Sequence, residues 1–377
     1  MSSLSLSLPS LHTPMVAVLH KVLPSLPPTG RDVDVPLVYR EPFVLSGYRP
    51  VGLPWRCYVL SLFQLHKDTV KVWCPLLAAV TVATLFMFFM VLQGGGLLGV
   101  RLQTPEGMGM SLDPSSLPLL LYVLSVIFFL SCSSASLLLH PCSSSVRSSL
   151  IILDSVGRGV HQAGRALALS LYASDAAWTE SVVGQLYLPA ASVLAFLSCT
   201  IGCCVELYPH RPNLIHLRLL QGGPVLLAFL LDISPVARRL YACPWNSHTA
   251  VLLHGLQVSL YSHAGKRVLI ITVNETTRVK MVLFLLSTLF FSCPVPECLS
   301  PGAFDILGHS RQLFQVLQTL STVCQLEALL QDFSWRRAGL VRRVGEENLL
   351  WPCGGFTVVT LSCTLTALAL RRCSVSR

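Results

Sequence analysis

A chain of 377 residues with 53% apolar and only 12% charged side chains, and a mean hydropathy of +0.63, falls outside the range of soluble globular proteins, where about a quarter of residues are charged. Lipid offers the backbone no hydrogen-bond partners, so spanning segments must be helices or closed barrels, and leucine-rich runs of about twenty residues select helices. The formal net charge of +9 sits on Lys and Arg flanking apolar runs, which suits anionic lipid headgroups and excludes nucleic acid as a partner.

Taken in chain order, the opening MSSLSLSLPSLHTPM lacks the basic region and compact apolar core of a cleaved secretory signal, so the first internal helix is expected to direct insertion. Residues 1–72 carry a Pro-rich stretch from Leu23 to Pro28 and scattered cations; they are expected to lie outside the membrane and to end in an interfacial helix near Tyr58 to Lys71. Residues 73–377 are expected to form the transmembrane bundle. Its first spans are Cys74 to Gln93, stopped by Gly94-Gly95-Gly96, and Leu117 to Leu139. Ser149 to Tyr172 is more polar, with Asp154, Arg158, His161 and Arg165 spaced i, i+4, i+7 and i+11, a spacing that puts all four on one inward face. Val182 to Cys204 follows, then a short interrupted span from Gly223 to Val236 containing Asp232 and Pro235.

Between Tyr241 and Lys280 a β-branched run beside Gly265-Lys266-Arg267 fits neither a span nor a short turn, and the region 241–280 reads as an inserted loop. A sixth span needs residues from about Asn274 to reach Cys293, residues 303–332 read as a long seventh helix, and Gly354 to Leu370 as an eighth. The fold class is therefore all-α: a polytopic membrane bundle of seven core helices plus an eighth C-terminal one. Fourteen cysteines fall largely inside apolar runs as small hydrophobes, giving no disulfide framework; Cys293 and Cys298 flank a Pro-rich loop and would pair only in an oxidising compartment.

Several blocks, in order and spacing, carry a resemblance: REPFVLSGYRPVG at 40–52, SLFQLHKDTVKVW, LYASDAAW at 171–178, LPAASVLAFLSCTIGCC, LLDISPVARR at 230–239, FFSCPVPE at 290–297, and PGAFDILGHSRQLF with CQLEALLQD. They resemble the progestin and adipoQ receptor family, in its membrane progestin receptor branch, from about residue 36 to the end. The resemblance implies zinc between the second, third and seventh helices of the family core, held by one histidine of the second and a His-x-x-x-His pair of the seventh. An i, i+4 pair with a third imidazole and a water is what tetrahedral zinc requires.

Here that pattern is broken. Leu137 occupies the second-helix ligand position, and Arg311 and Gln315 stand where the paired histidines belong; Leu has no donor atom and Arg is a permanent cation. Ser133 and Asp154 match the remaining scaffold of the site. Asp154 then has two candidate partners, Arg311 in the metal's place or Arg158 one turn along its own helix. Lys71 and Pro75 also depart from the family's asparagine and histidine, which is expected to weaken polar contacts near the first span.

These readings give no catalytic residue and no zinc cofactor, so a zinc-dependent amide hydrolase of the ceramidase type is disfavoured. The function implied by the resemblance is a steroid-binding, progestin receptor-like protein of the plasma membrane that signals without catalysis. Gln221, in the Q-x-x-P match at 221–224, is implied as the hydrogen-bond donor to a steroid keto oxygen, against the alternative that it only caps an interfacial helix. Partners left open are membrane lipid, a G protein, and homo- or hetero-oligomers; small residues Ala195, Ser198 and Gly202 would permit helix contact in an inactive regulatory paralogue.

Overall fold

The computed structural model describes residues 26–92, 115–207, 214–241, 279, 282–345 and 347–375. Among them the chain is all-α apart from one short antiparallel pair, β1 (Gly30–Arg31) with β2 (Ser46–Tyr48). The helices are α1 (Trp55–Leu60), α2 (Thr69–Leu92), α3 (Leu117–Leu139), α4 (Ser144–Ala168), α5 (Ala176–Thr179), α6 (Val182–Leu207) and α7 (Leu214–Tyr241). A shorter apolar α8 (Val282–Ser292) is followed by α9 (Ser310–Val344) and α10 (Leu350–Val375). By length and composition five are fit to cross a membrane: α2, α3, α6, residues 310–334 of α9, and α10. The expected inserted loop at 241–280 lies outside the described residues, apart from Tyr241 and Val279.

Helix limits differ from the sequence reading where polar caps act. α4 starts at Ser144 and not Ser149 because the Ser143 hydroxyl accepts a hydrogen bond from the Val146 amide at 3.2 Å. It closes in a π-helical turn, Leu169–Ala173. The interfacial helix ends at Leu60, and after a 3-10 turn (Ser61–Phe63) the chain leaves helix and passes through a turn at Lys67 and Asp68 before α2 begins at Thr69. The seventh expected helix starts later, at Ser310. Gly308 adopts φ +91°, and the buried Glu297 carboxylate accepts from both the amide and the hydroxyl of Ser310, fixing the first turn of α9. The expected short fifth span is one continuous helix that contains Pro224 and Pro235.

α4 is the central helix, packed against α3, α6 and α10. Close approach depends on its glycines: a Cβ at Gly159 would lie 3.0 Å from Cys199 Cβ and 3.1 Å from Ala195 O on α6. Gly202 in turn faces the Ser155 hydroxyl. The small-residue face of α6 is therefore used inside the bundle. α10 packs through Cys363 and Ala367 onto α4 and α6, and turns Leu361, Leu365 and Leu368 outward. Leu77, Phe88 and Leu186 face outward in the same way, which in a bilayer is contact with lipid tails.

Residues before α2 cover one end of the bundle as a headpiece. Arg49 drives the attachment: its guanidinium donates to Leu137 O and Leu138 O, both at 2.9 Å, satisfying the last carbonyls of α3 where a cation is favoured. The Tyr58 hydroxyl donates to Pro141 O at 3.0 Å, and Asp305 accepts from the Leu45 amide and the Ser46 hydroxyl.

Candidate functional site

Where the headpiece meets the helix ends there is a cavity of about 400 Å³. Leu137 from the last turn of α3 lines it, as do Arg311 and Gln315 from successive turns of α9, so the fold brings these three positions together. Ser133 and Asp154 are not among the residues that line it. Of the two partners weighed for Asp154, the structure pairs it with Arg158 at 3.4 Å, and Ser133 is its hydrogen-bond neighbour on α3. Gln221 sits on α7, with its side chain outside the described residues. Cys293 and Cys298 are free thiols.

The donor set does not fit zinc. Leu137 contributes no lone pair, and Arg311 carries a fixed positive charge. Among the described residues no three His, Cys, Asp or Glu side chains converge as a metal needs. His140 lines the same cavity, but its Nε2 accepts from Arg147 Nε at 2.9 Å; His309 is fully buried with its Nε2 3.5 Å from Glu41 Oε2.

Beside the cavity lies an ion cluster. Glu41 Oε1 accepts from Lys67 Nζ at 2.9 Å and Lys71 Nζ at 2.8 Å; Asp68 takes Lys71 at 2.5 Å and Arg49 at 3.4 Å. Burial pushes the Glu41 carboxyl up, but the Lys71 and Lys67 ammoniums outweigh it and hold it down to about 2. Burial, helped by Arg147, lowers His140 to about 4, so its ring is neutral at pH 7. The expectation that Lys71 weakens polar contact is thus corrected: it bridges two carboxylates and ties α2 to the headpiece. Lys67 also lies 4.1 Å over the Tyr48 ring.

A second cluster is set within the bundle. Arg165 Nε on α4 lies 2.7 Å from Asp232 Oδ2 on α7, a close ion pair and not an aligned hydrogen bond, while Tyr187 on α6 donates to Asp232 Oδ1 at 2.8 Å. His161 stacks on Phe129 at 5.2 Å. Of the polar face read from the spacing of Asp154, Arg158, His161 and Arg165, Asp154 and Arg165 turn into protein and His161 packs on Phe129, while the Arg158 side chain stays 36% exposed and is balanced by Asp154.

Sequence reasoning passed over Glu41, Arg49, Asp68 and Glu297 as site-forming residues. One signal was present: in a chain so poor in charge, REPF and LHKDTVK set opposite charges side by side just before the first span. At the cavity the Ser310 hydroxyl donates to the Glu297 carboxylate as part of the cap of α9. The lining offers an excess of fixed positive charge against an apolar wall of Phe291 and Phe314, whose rings lie 5.2 Å apart.

Comparison with known proteins agrees with this architecture. The family model described as "Haemolysin-III related" matches residues 63–273 and 266–326. Membrane progestin receptor beta of Mus musculus is 37% identical over 357 residues, 94% of this chain and 90% of the relative; that of Sus scrofa is 38% identical with the same coverage. Membrane progestin receptor alpha-B of Danio rerio is 35% identical over 325 residues, 85% of this chain and 80% of the relative. The chain is a multi-pass helical membrane protein that belongs to the haemolysin-III related family, the progestin and adipoQ receptors, on the branch of the membrane progestin receptors.

Proposed function

We propose that this chain is a steroid-binding receptor of the plasma membrane that responds to progestin-like ligands and catalyses no reaction of its own. The observation that carries the reading is the length of the similarity: it runs over 94% of the chain to proteins named membrane progestin receptors, and so spans the bundle instead of one shared motif. A flat apolar ligand needs a largely apolar pocket and one or two polar anchors. Gln221 on α7 is the proposed anchor, donating to a steroid keto oxygen, and a G protein is the proposed downstream partner.

Two alternatives are weaker on specific grounds. A zinc-dependent lipid amide hydrolase needs metal ligands where this chain has Leu137, Arg311 and Gln315. A regulatory paralogue dimerising through the α6 small-residue face would need a surface that Gly202 and Ala195 already spend on α4.

The test is saturable binding of radiolabelled progesterone to membranes from cells expressing the full chain, with zinc quantified in the purified protein. Wild type is expected to bind saturably, and Gln221→Ala at equal surface expression to lose about tenfold in affinity, the size of one buried hydrogen bond. Unchanged affinity removes Gln221 from the site. No saturable binding by wild type ends the receptor reading, and a stoichiometric, chelator-sensitive zinc restores the hydrolase.

A further inference from the structure

The cavity that holds Leu137, Arg311 and Gln315 has a charge balance of its own. The adjoining ion cluster contributes three cations and two carboxylates, all engaged with one another. Arg40, Arg147 and Arg311 are added to the lining, whereas the one further carboxylate, Glu297, spends both oxygens on Ser310. Arg40 donates to backbone carbonyls of Val33 and Val35, not to an acid. Arg311 is exposed, in the first turn of α9, and has no hydrogen-bond or ion-pair partner among the described residues. The positive end of the α9 dipole adds to its field. His140 is neutral at pH 7 and adds no further positive charge to the count.

A cavity with three more cations than carboxylates, at the end of a membrane bundle, is complementary to an anion. Its other wall, Phe291, Phe314 and Leu137, is apolar, so the anion it fits is attached to a hydrophobic body. We infer that this cavity binds the phosphate of a phosphomonoester headgroup, with the Arg311 guanidinium as its principal contact in the place where the family's zinc would sit. Arg suits this role because its planar fork gives two parallel donors to one phosphate. A volume of about 400 Å³ admits a headgroup and the first carbons below it. The inference makes no use of Gln221, so it stands or falls independently of the proposed progestin anchor.

The experiment uses the full chain in phosphatidylcholine nanodiscs with and without phosphatidic acid, and a parallel arm with inorganic phosphate added to the phosphatidylcholine discs. The thermal unfolding midpoint and native mass spectrometry read binding. Wild type is expected to retain phosphatidic acid and to be stabilised by it, while Arg311→Ala weakens retention by about tenfold or more, the size of one charge-assisted bidentate contact. Because Arg311 is exposed and makes no hydrogen bond or ion pair among the described residues, the variant's midpoint without phosphatidic acid should stay near the wild-type value. Gln315→Glu, which places a carboxylate in the same wall, should weaken retention too and covers the case in which Arg311→Ala fails to fold. Stabilisation by inorganic phosphate alone would assign the site to a soluble phosphate; a response to phosphatidic acid alone assigns it to the lipid. Equal retention by wild type and both variants, or a loss matched by Arg372→Gln at the far end of α10, would overturn the inference in favour of general surface electrostatics.

Discussion

Two buried charge clusters in this chain follow opposite plans. Within the bundle, Arg165, Asp232 and Tyr187 form a closed set: one cation, one carboxylate and one phenol, spent on each other and bridging α4, α7 and α6. In the headpiece, Glu41 and Asp68 are shared among Lys67, Lys71 and Arg49, and the cluster opens on a cavity lined by three further arginines and one further carboxylate. The difference follows from the medium. A charge in the spanning layer has no solvent to fall back on, so it must be balanced within contact distance. At the end of the bundle, water and headgroups reach the site, and surplus charge can be kept for a ligand.

The largest test of that contrast is removal of the balancing acid in the bundle. Asp232→Ala leaves Arg165 buried without its counter-charge and Tyr187 without its acceptor, and is expected to destabilise the protein by about 3–5 kcal/mol, read by thermal unfolding in detergent. If Arg165→Met with Asp232→Leu recovers most of the loss, the pair is structural; if Asp232→Ala is neutral, the closed-set reading is wrong.

In the headpiece the expected effect is smaller, because the cluster is partly redundant. Glu41→Gln removes the carboxylate between Lys67 and Lys71, but Asp68 still holds Lys71, so the expected cost is about 2 kcal/mol. It should also raise the affinity of the cavity for phosphatidic acid by freeing positive charge, an effect that Asp232→Ala should not produce.

The pH response probes the headpiece without a mutation. His66, His140 and His309 are each lowered to about 4, first by burial and then by neighbouring cations, Arg49, Arg147 and Lys71 respectively. The unfolded chain takes up these protons below about pH 6.5, the native headpiece only near 4. Headpiece stability is therefore complete above about 6.5 and falls as pH drops toward 4. Glu41, held to about 2, adds a further loss that begins below its ordinary value of 4.5. Hydrogen exchange should accelerate in β2 and α1 across that window while α4 amides stay protected; simultaneous loss of both would mean the two regions are one cooperative unit.

Much of the fold is legible in the sequence because a bilayer rewards long apolar runs so strongly. The spans at Leu117 to Leu139 and Val182 onward need nothing but hydropathy, and the polar face of α4 follows from helical spacing alone. Leu137 and Arg311 are equally plain, since a residue without a lone pair, or with a permanent charge, cannot hold zinc wherever it lies. What local pattern misses are the caps: Glu297 setting the start of α9 from thirteen residues away, and Arg49 closing α3 from eighty-eight.

The sequence by itself determined the solvent, most of the helices and the presence at 137 and 311 of side chains that cannot bind a metal, because these are properties of side chains taken one at a time or one helix turn apart. Only the tertiary structure decided that Lys71 strengthens the headpiece, that Asp154 belongs to Arg158, and that three substituted positions share one cation-rich cavity. Those outcomes depend on which charges end up within a few ångströms of each other after the headpiece, α3, α4 and α9 have packed, and Coulomb energy is set by that distance and the local dielectric, not by separation along the chain.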